Sequence, residues 1–85
     1  MERRRILRRL AGPSLLKMRY LVIVERGTNS FGAYVPDLSG CAVVADTKEE
    51  ALKLMREAVV VHVESLREAG EPIPEPASMT DYVQV

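Results

Sequence analysis

The sequence predicts an α+β fold of element order β-β-β-α-β. Three observations predict it. Short β-branched or apolar runs alternate with turn residues between positions 20 and 45. One long amphipathic segment follows, opened by a threonine cap and stopped by a glycine. β-forming residues then return at 79–85. Three short strands joined by short loops read as an antiparallel meander. A right-handed crossover through the helix returns the fourth strand parallel to the first. The expected sheet order is 3-2-1-4, with strand 1 internal and one helix packed on the sheet.

Strand 1 is expected at Tyr20-Leu21-Val22-Ile23-Val24, an unbroken apolar run typical of a strand covered on both faces. Gly27-Thr28-Asn29-Ser30 has hairpin-turn chemistry. Strand 2 follows at Phe31–Val35 and closes at Pro36. After the loop Pro36–Gly40, strand 3 spans Cys41-Ala42-Val43-Val44-Ala45. Thr47 and Glu50 have capping-box spacing, and Glu49 and Glu50 suit the positive end of a helix dipole. Gly70 is a natural stop. Leu52, Met55, Val59, Val63 and Leu66 form the stripe expected to face the sheet. Pro72, Pro74 and Pro76 make the next segment an extended connector, and Tyr82, Val83 and Val85 supply strand 4.

At 85 residues the chain is one small domain without a disulfide, since Cys41 is the only cysteine. With 47% hydrophobic and 28% charged residues it is neither a disordered acidic chain nor a collagen-like one. No apolar run reaches the roughly eighteen residues of a transmembrane helix, so no membrane partner is expected. The net charge of zero conceals two halves. Residues 1–19 carry seven basic side chains against Glu2 alone, a balance of +6, and residues 20–85 carry five against eleven acids, a balance of −6. Residues 1–17 therefore read as a basic extension with helical patterning ended by Gly12-Pro13, and 18–85 as the folded domain. The arm suits nucleic-acid phosphates, the surface of an acidic membrane or an acidic neighbouring subunit, and its sequence does not choose among them.

No catalytic site, cofactor site or metal site is expected. Glu25 and Asp46 end strands 1 and 3, but two-metal nuclease chemistry needs a larger cluster of acids. Cys41 and His62 are each unique, and nothing in their spacing joins them or supplies an orienting third group. No glycine-rich phosphate loop precedes the helix. Surfaces say more. Leu54, Ala58 and Val61 form a second apolar strip beside the core stripe, which points to a bound protein. Strand 3, Cys41–Ala45, is an edge with neither charge nor proline, so pairing in a homodimer or higher homo-oligomer is expected there.

Several stretches carry a family likeness. Met18–Glu25 resembles the opening strand of HicB-like antitoxins. Phe31–Cys41 resembles their most recognisable motif, through Tyr34, Pro36, Asp37, Gly40 and Cys41. Asp46–Ala51 and Glu71–Pro74 resemble the helix start and the segment after the helix. The resemblance implies a partial ribonuclease H fold without nuclease activity. It also implies a cytoplasmic bacterial antitoxin whose partner is a small HicA-type messenger-RNA-cleaving toxin. Many members carry a C-terminal DNA-binding domain. This length leaves no room for one, so autorepression is not expected. Gly32, Pro36 and Gly40 are expected to set hairpin and loop geometry, and Asp37 to cap its own loop.

Overall fold

A computed structural model describes residues 18–85, and the expected basic extension at 1–17 lies outside the described residues. Strands β1 (Ile23–Arg26), β2 (Phe31–Tyr34) and β3 (Ala42–Ala45) precede helix α1 (Lys48–Glu68). The sheet is an antiparallel meander in the order β1-β2-β3. The Gly27 amide donates to the Ser30 carbonyl at 2.7 Å, closing the first turn. That turn sets the register: Arg26 lies opposite Phe31 and Ile23 opposite Tyr34. On the other side Phe31 lies opposite Ala45 and Tyr34 opposite Ala42.

Two expectations need correction. Strand 1 enters the ladder at Ile23 rather than Tyr20. Its partner β2 stops at Tyr34, because the Val35 amide turns to the Cys41 carbonyl at 3.1 Å and Pro36 has no amide. Residues 20–22 therefore lack ladder partners among the described residues, although Tyr20 and Val22 still pack against the core. The fourth strand does not form among the described residues, and there β1 is an edge instead of an interior strand. Residues 71–85 hold no helix or strand. Met79, Tyr82 and Val83 stand in solvent, 87%, 93% and 86% exposed.

The helix follows its local signals closely. Thr47 Oγ1 accepts the Glu50 amide at 3.1 Å, the threonine half of the capping box. At the other end Gly70 has φ +73°, the left-handed conformation that favours glycine. Its amide donates to Arg67 and the Glu71 amide donates to Leu66, the paired bonds of a Schellman stop. The core stripe is centred on Met55 and Val63, with Leu52, Val59 and Leu66 half-buried. Ala51 is wholly buried as well, a small residue where the helix meets the sheet. Ala33, Val35, Leu38 and Cys41 complete the core from the sheet side. α1 packs over β2 and β3, leaving the β1 side of the same face with less cover.

Candidate functional site

The helix position over β2 and β3 creates a groove along the β3 edge. It has a volume of about 530 Å³. Its sheet wall is Gly40, Cys41, Ala42 and Val43, and its helix wall runs through Leu54, Ala58, Val61 and His62. The helix strip and the unblocked edge strand are thus two walls of one feature. Val61 is 65% exposed and its neighbour Val60 54%. Val44 faces away from the groove on the outer sheet surface, and Ala45 packs inward against the core. Glu57 and Ser65 add polar groups to the rim. Sequence reading missed them, although both continue the wheel positions of Leu54 and Val61.

Cys41 and His62 both line this groove. The arrangement does not activate the thiol. Cys41 is buried, its Sγ lies 3.8 Å from Met55 Sδ, and burial pushes its pKa up. A nucleophilic cysteine needs the opposite shift. Glu25 on β1 and Asp46 after β3 are held apart by β2. Among the described residues no group of three or more His, Cys, Asp or Glu side chains converges. No helix among them is long and apolar enough to cross a membrane.

The motif residues organise the loop at the end of β2. The Leu38 amide donates to Val35 and the Cys41 amide to Leu38, both at 3.1 Å, which closes Pro36–Gly40 into a tight turn. Gly40 has φ +83°, so the backbone there requires glycine. Gly32 has no such requirement: a Cβ would sit 3.9 Å from the Val43 carbonyl, an ordinary contact. Tyr34 points outward and is partly exposed.

Asp37 does something other than cap its own loop. Its Oδ2 accepts the amides of Ala77 and Ser78, each at 3.0 Å, and its Oδ1 accepts the Ser78 hydroxyl at 2.8 Å. These bonds hold its carboxyl below the ordinary carboxylate pKa. Tyr20 adds a second tie by donating its hydroxyl to the Pro74 carbonyl at 2.5 Å. Burial, then the charges of Asp37 and Glu75, raise the Tyr20 pKa. The motif loop and the first apolar run therefore fix the root of the C-terminal segment. The sequence holds no local signal for this tie, because its partners lie 40 and 41 residues apart.

A family profile described as the HicB-like antitoxin of bacterial toxin–antitoxin systems matches residues 20–85. The chain belongs to the HicB-like antitoxin family. Its three-stranded antiparallel sheet followed by one helix is the arrangement found in solved HicB structures. A chain of the HicA3–HicB3 toxin–antitoxin complex superposes with a TM-score of 0.61 at 32% identity, covering 71% of this chain and 70% of that one. The N-terminal domain of the Burkholderia pseudomallei antitoxin HicB superposes at 0.59 with 36% identity, covering 68% and 69%. Among curated relatives, a 14.9 kDa protein of Haemophilus phage HP1 is 30% identical over 78% of this chain. This HicB-like chain spans half the length of that phage protein. A small UPF0150 protein of Thermoplasma acidophilum is 38% identical over 67% of this chain and 84% of its own length.

Proposed function

We propose that this chain is a non-catalytic antitoxin that binds and masks a HicA-type messenger-RNA-cleaving toxin, with the β3–α1 groove as the seat. One observation carries the reading: the apolar strip Leu54, Ala58, Val61, of which Val61 is the most exposed, and the charge-free Cys41–Val43 of the β3 edge line a single groove. An edge of this kind accepts a strand through backbone hydrogen bonds, and the apolar wall adds side-chain burial. Family membership and the likeness to a chain of a HicA–HicB complex support the same partner. A balance of −6 over residues 20–85 suits a basic RNA-binding protein. Valine and isoleucine stand at positions 22 and 23, where a metal-dependent ribonuclease H fold would need an acid, which supports a binding role. The protein would act in the cytoplasm, where messenger RNA is the toxin's target.

Co-expression with a HicA-type toxin encoded beside this gene tests the reading. The expected result is a stable complex on size-exclusion chromatography and restored growth of toxin-expressing cells. Neither complex nor rescue refutes it. A second copy competing for Cys41–Ala45 would show as an antitoxin dimer that toxin dissociates.

A further inference from the structure

Residues 71–78 run from the helix wall of the β3–α1 groove to its sheet wall. We infer that they form a strap controlling the groove: fastened to Asp37 it holds the Gly40–Cys41 wall closed against α1, and released it lets that wall open. The consequence for toxin binding rests on the groove being the toxin's seat, whereas the mechanical link does not.

The strap begins on the helix wall. Ser65, which lines the groove, lies in the last turn of α1. The stop at Gly70 turns the chain there, with the Glu71 amide bonded to the Leu66 carbonyl at 2.9 Å. Pro72, Pro74 and Pro76 alternate beyond it, which favours a stiff extended run over a slack linker. Ile73 packs on the core, and the Pro74 carbonyl accepts the Tyr20 hydroxyl, so the run is also held midway.

The strap ends on the sheet wall. There Asp37 accepts the Ala77 and Ser78 amides and the Ser78 hydroxyl. Such bonds to a carboxylate are roughly twice as strong as neutral ones. The Pro36–Gly40 turn does not need them, because it closes through the Leu38 and Cys41 amides. Their effect is therefore between elements. Asp37 adjoins Leu38, which is buried and whose carbonyl accepts the Cys41 amide, while the Cys41 carbonyl accepts the Val35 amide. Gly40 and Cys41, where the sheet wall begins, thus lie within one hydrogen-bonded turn of the tie. Coupling of this kind is reciprocal. A partner seated against the closed wall tightens the tie, and drawing the strap off Asp37 loosens the seat.

Cys41 reports the state of the wall. It is the only cysteine, it lines the groove, and it is 4% exposed, so an aromatic disulfide reagent reaches its thiol only when the wall opens. Asp37→Ala cuts the tie from the loop side and removes all three bonds. Ser78→Pro cuts it from the strap side, removing an amide and a hydroxyl while leaving the loop sequence intact. With the fold checked by circular dichroism, Asp37→Ala should speed Cys41 labelling at least ~10-fold and Ser78→Pro at least ~3-fold. Because both act on one tie, the double variant should label within ~2-fold of Asp37→Ala alone. Opening the wall exposes little surface, so the faster rates should stay nearly flat in urea below the unfolding transition. Thr47→Ala, which removes the helix cap without touching the strap, gives the steep urea slope of global unfolding for comparison. An unchanged rate in either single variant, gains that multiply in the double variant, or a gain that climbs steeply with urea would overturn the inference. No toxin enters these measurements, so their failure is separate from failure of the antitoxin reading.

Discussion

Val61→Asp separates binding from folding at the β3–α1 groove. Val61 stands on the groove's helix wall with 65% of its surface exposed, so most of the side chain is available for burial by the proposed toxin. Full burial of a valine stabilises by roughly 1.5–3 kcal/mol, and the exposed share therefore corresponds to about 1–2 kcal/mol on binding. The carboxylate that replaces it would enter the interface without a partner, adding a further ~1–3 kcal/mol of desolvation cost. If the proposed toxin seats in the groove, the sum, about 3 kcal/mol, should weaken its binding roughly 100-fold. Folding should barely respond, by about ±0.5 kcal/mol, because the site is on the surface and aspartate and valine have similar helix propensities. Isothermal titration against the co-encoded toxin reads the first number and thermal unfolding the second. A dissociation constant within about 3-fold of the unaltered chain, with the fold intact, would remove the groove from the interface.

Core, loop and tail yield three further expectations. Met55→Ala removes a fully buried side chain that packs on the Cys41 sulfur and should cost ~2–5 kcal/mol, read from urea unfolding. Gly40→Ala forces a Cβ into a positive-φ position and should cost about 1–2 kcal/mol, whereas Gly32→Ala should be nearly neutral in the same assay. The Asp37 tie should depend on pH in one direction. Its folded pKa lies below the ordinary 3.8, so its contribution is complete above that value and is lost as pH falls through the folded pKa. The Ser78 amide resonance should report that acid transition, and Asp37→Asn should abolish it.

The helix was readable because its limits are encoded within a few residues: Thr47 with Glu50 at one end, Gly70 at the other. The meander was readable for the same reason, since Gly27–Ser30 and Pro36–Gly40 are local turn signals. The start of β1 was not. An apolar run reports burial, and Tyr20 and Val22 are indeed packed, but ladder pairing depends on how far β2 extends before Val35 turns away. The strand expected at 79–85 has the right composition, yet propensity alone does not bring it to the open β1 edge: its root is tied to Asp37 and its large side chains lie in solvent. Leu54, Ala58 and Val61 were visible as a strip by periodicity, and Cys41–Ala45 as an edge by lack of charge. The meeting of that strip with Cys41–Val43 in one groove follows from where α1 lies on the sheet, which neither pattern contains. Asp37 was visible only as a motif residue, because its partners are fixed by tertiary structure.

The Asp37 tie also bears on the order of assembly. It joins residues 40 and 41 positions apart, with the whole of β3 and α1 between them. The two hairpins and the docking of α1 join neighbours in sequence and can form early. Closing the larger loop carries a greater entropic cost, which grows as about 1.5 RT ln n for n residues. The carboxylate can grip Ala77 and Ser78 only once the helix has carried the chain back across the sheet. The tie is expected to close after the two hairpins and the docking of α1, and to open before them. Hydrogen exchange should follow that sequence, with the Ser78 amide opening well before that of Ala33 in β2.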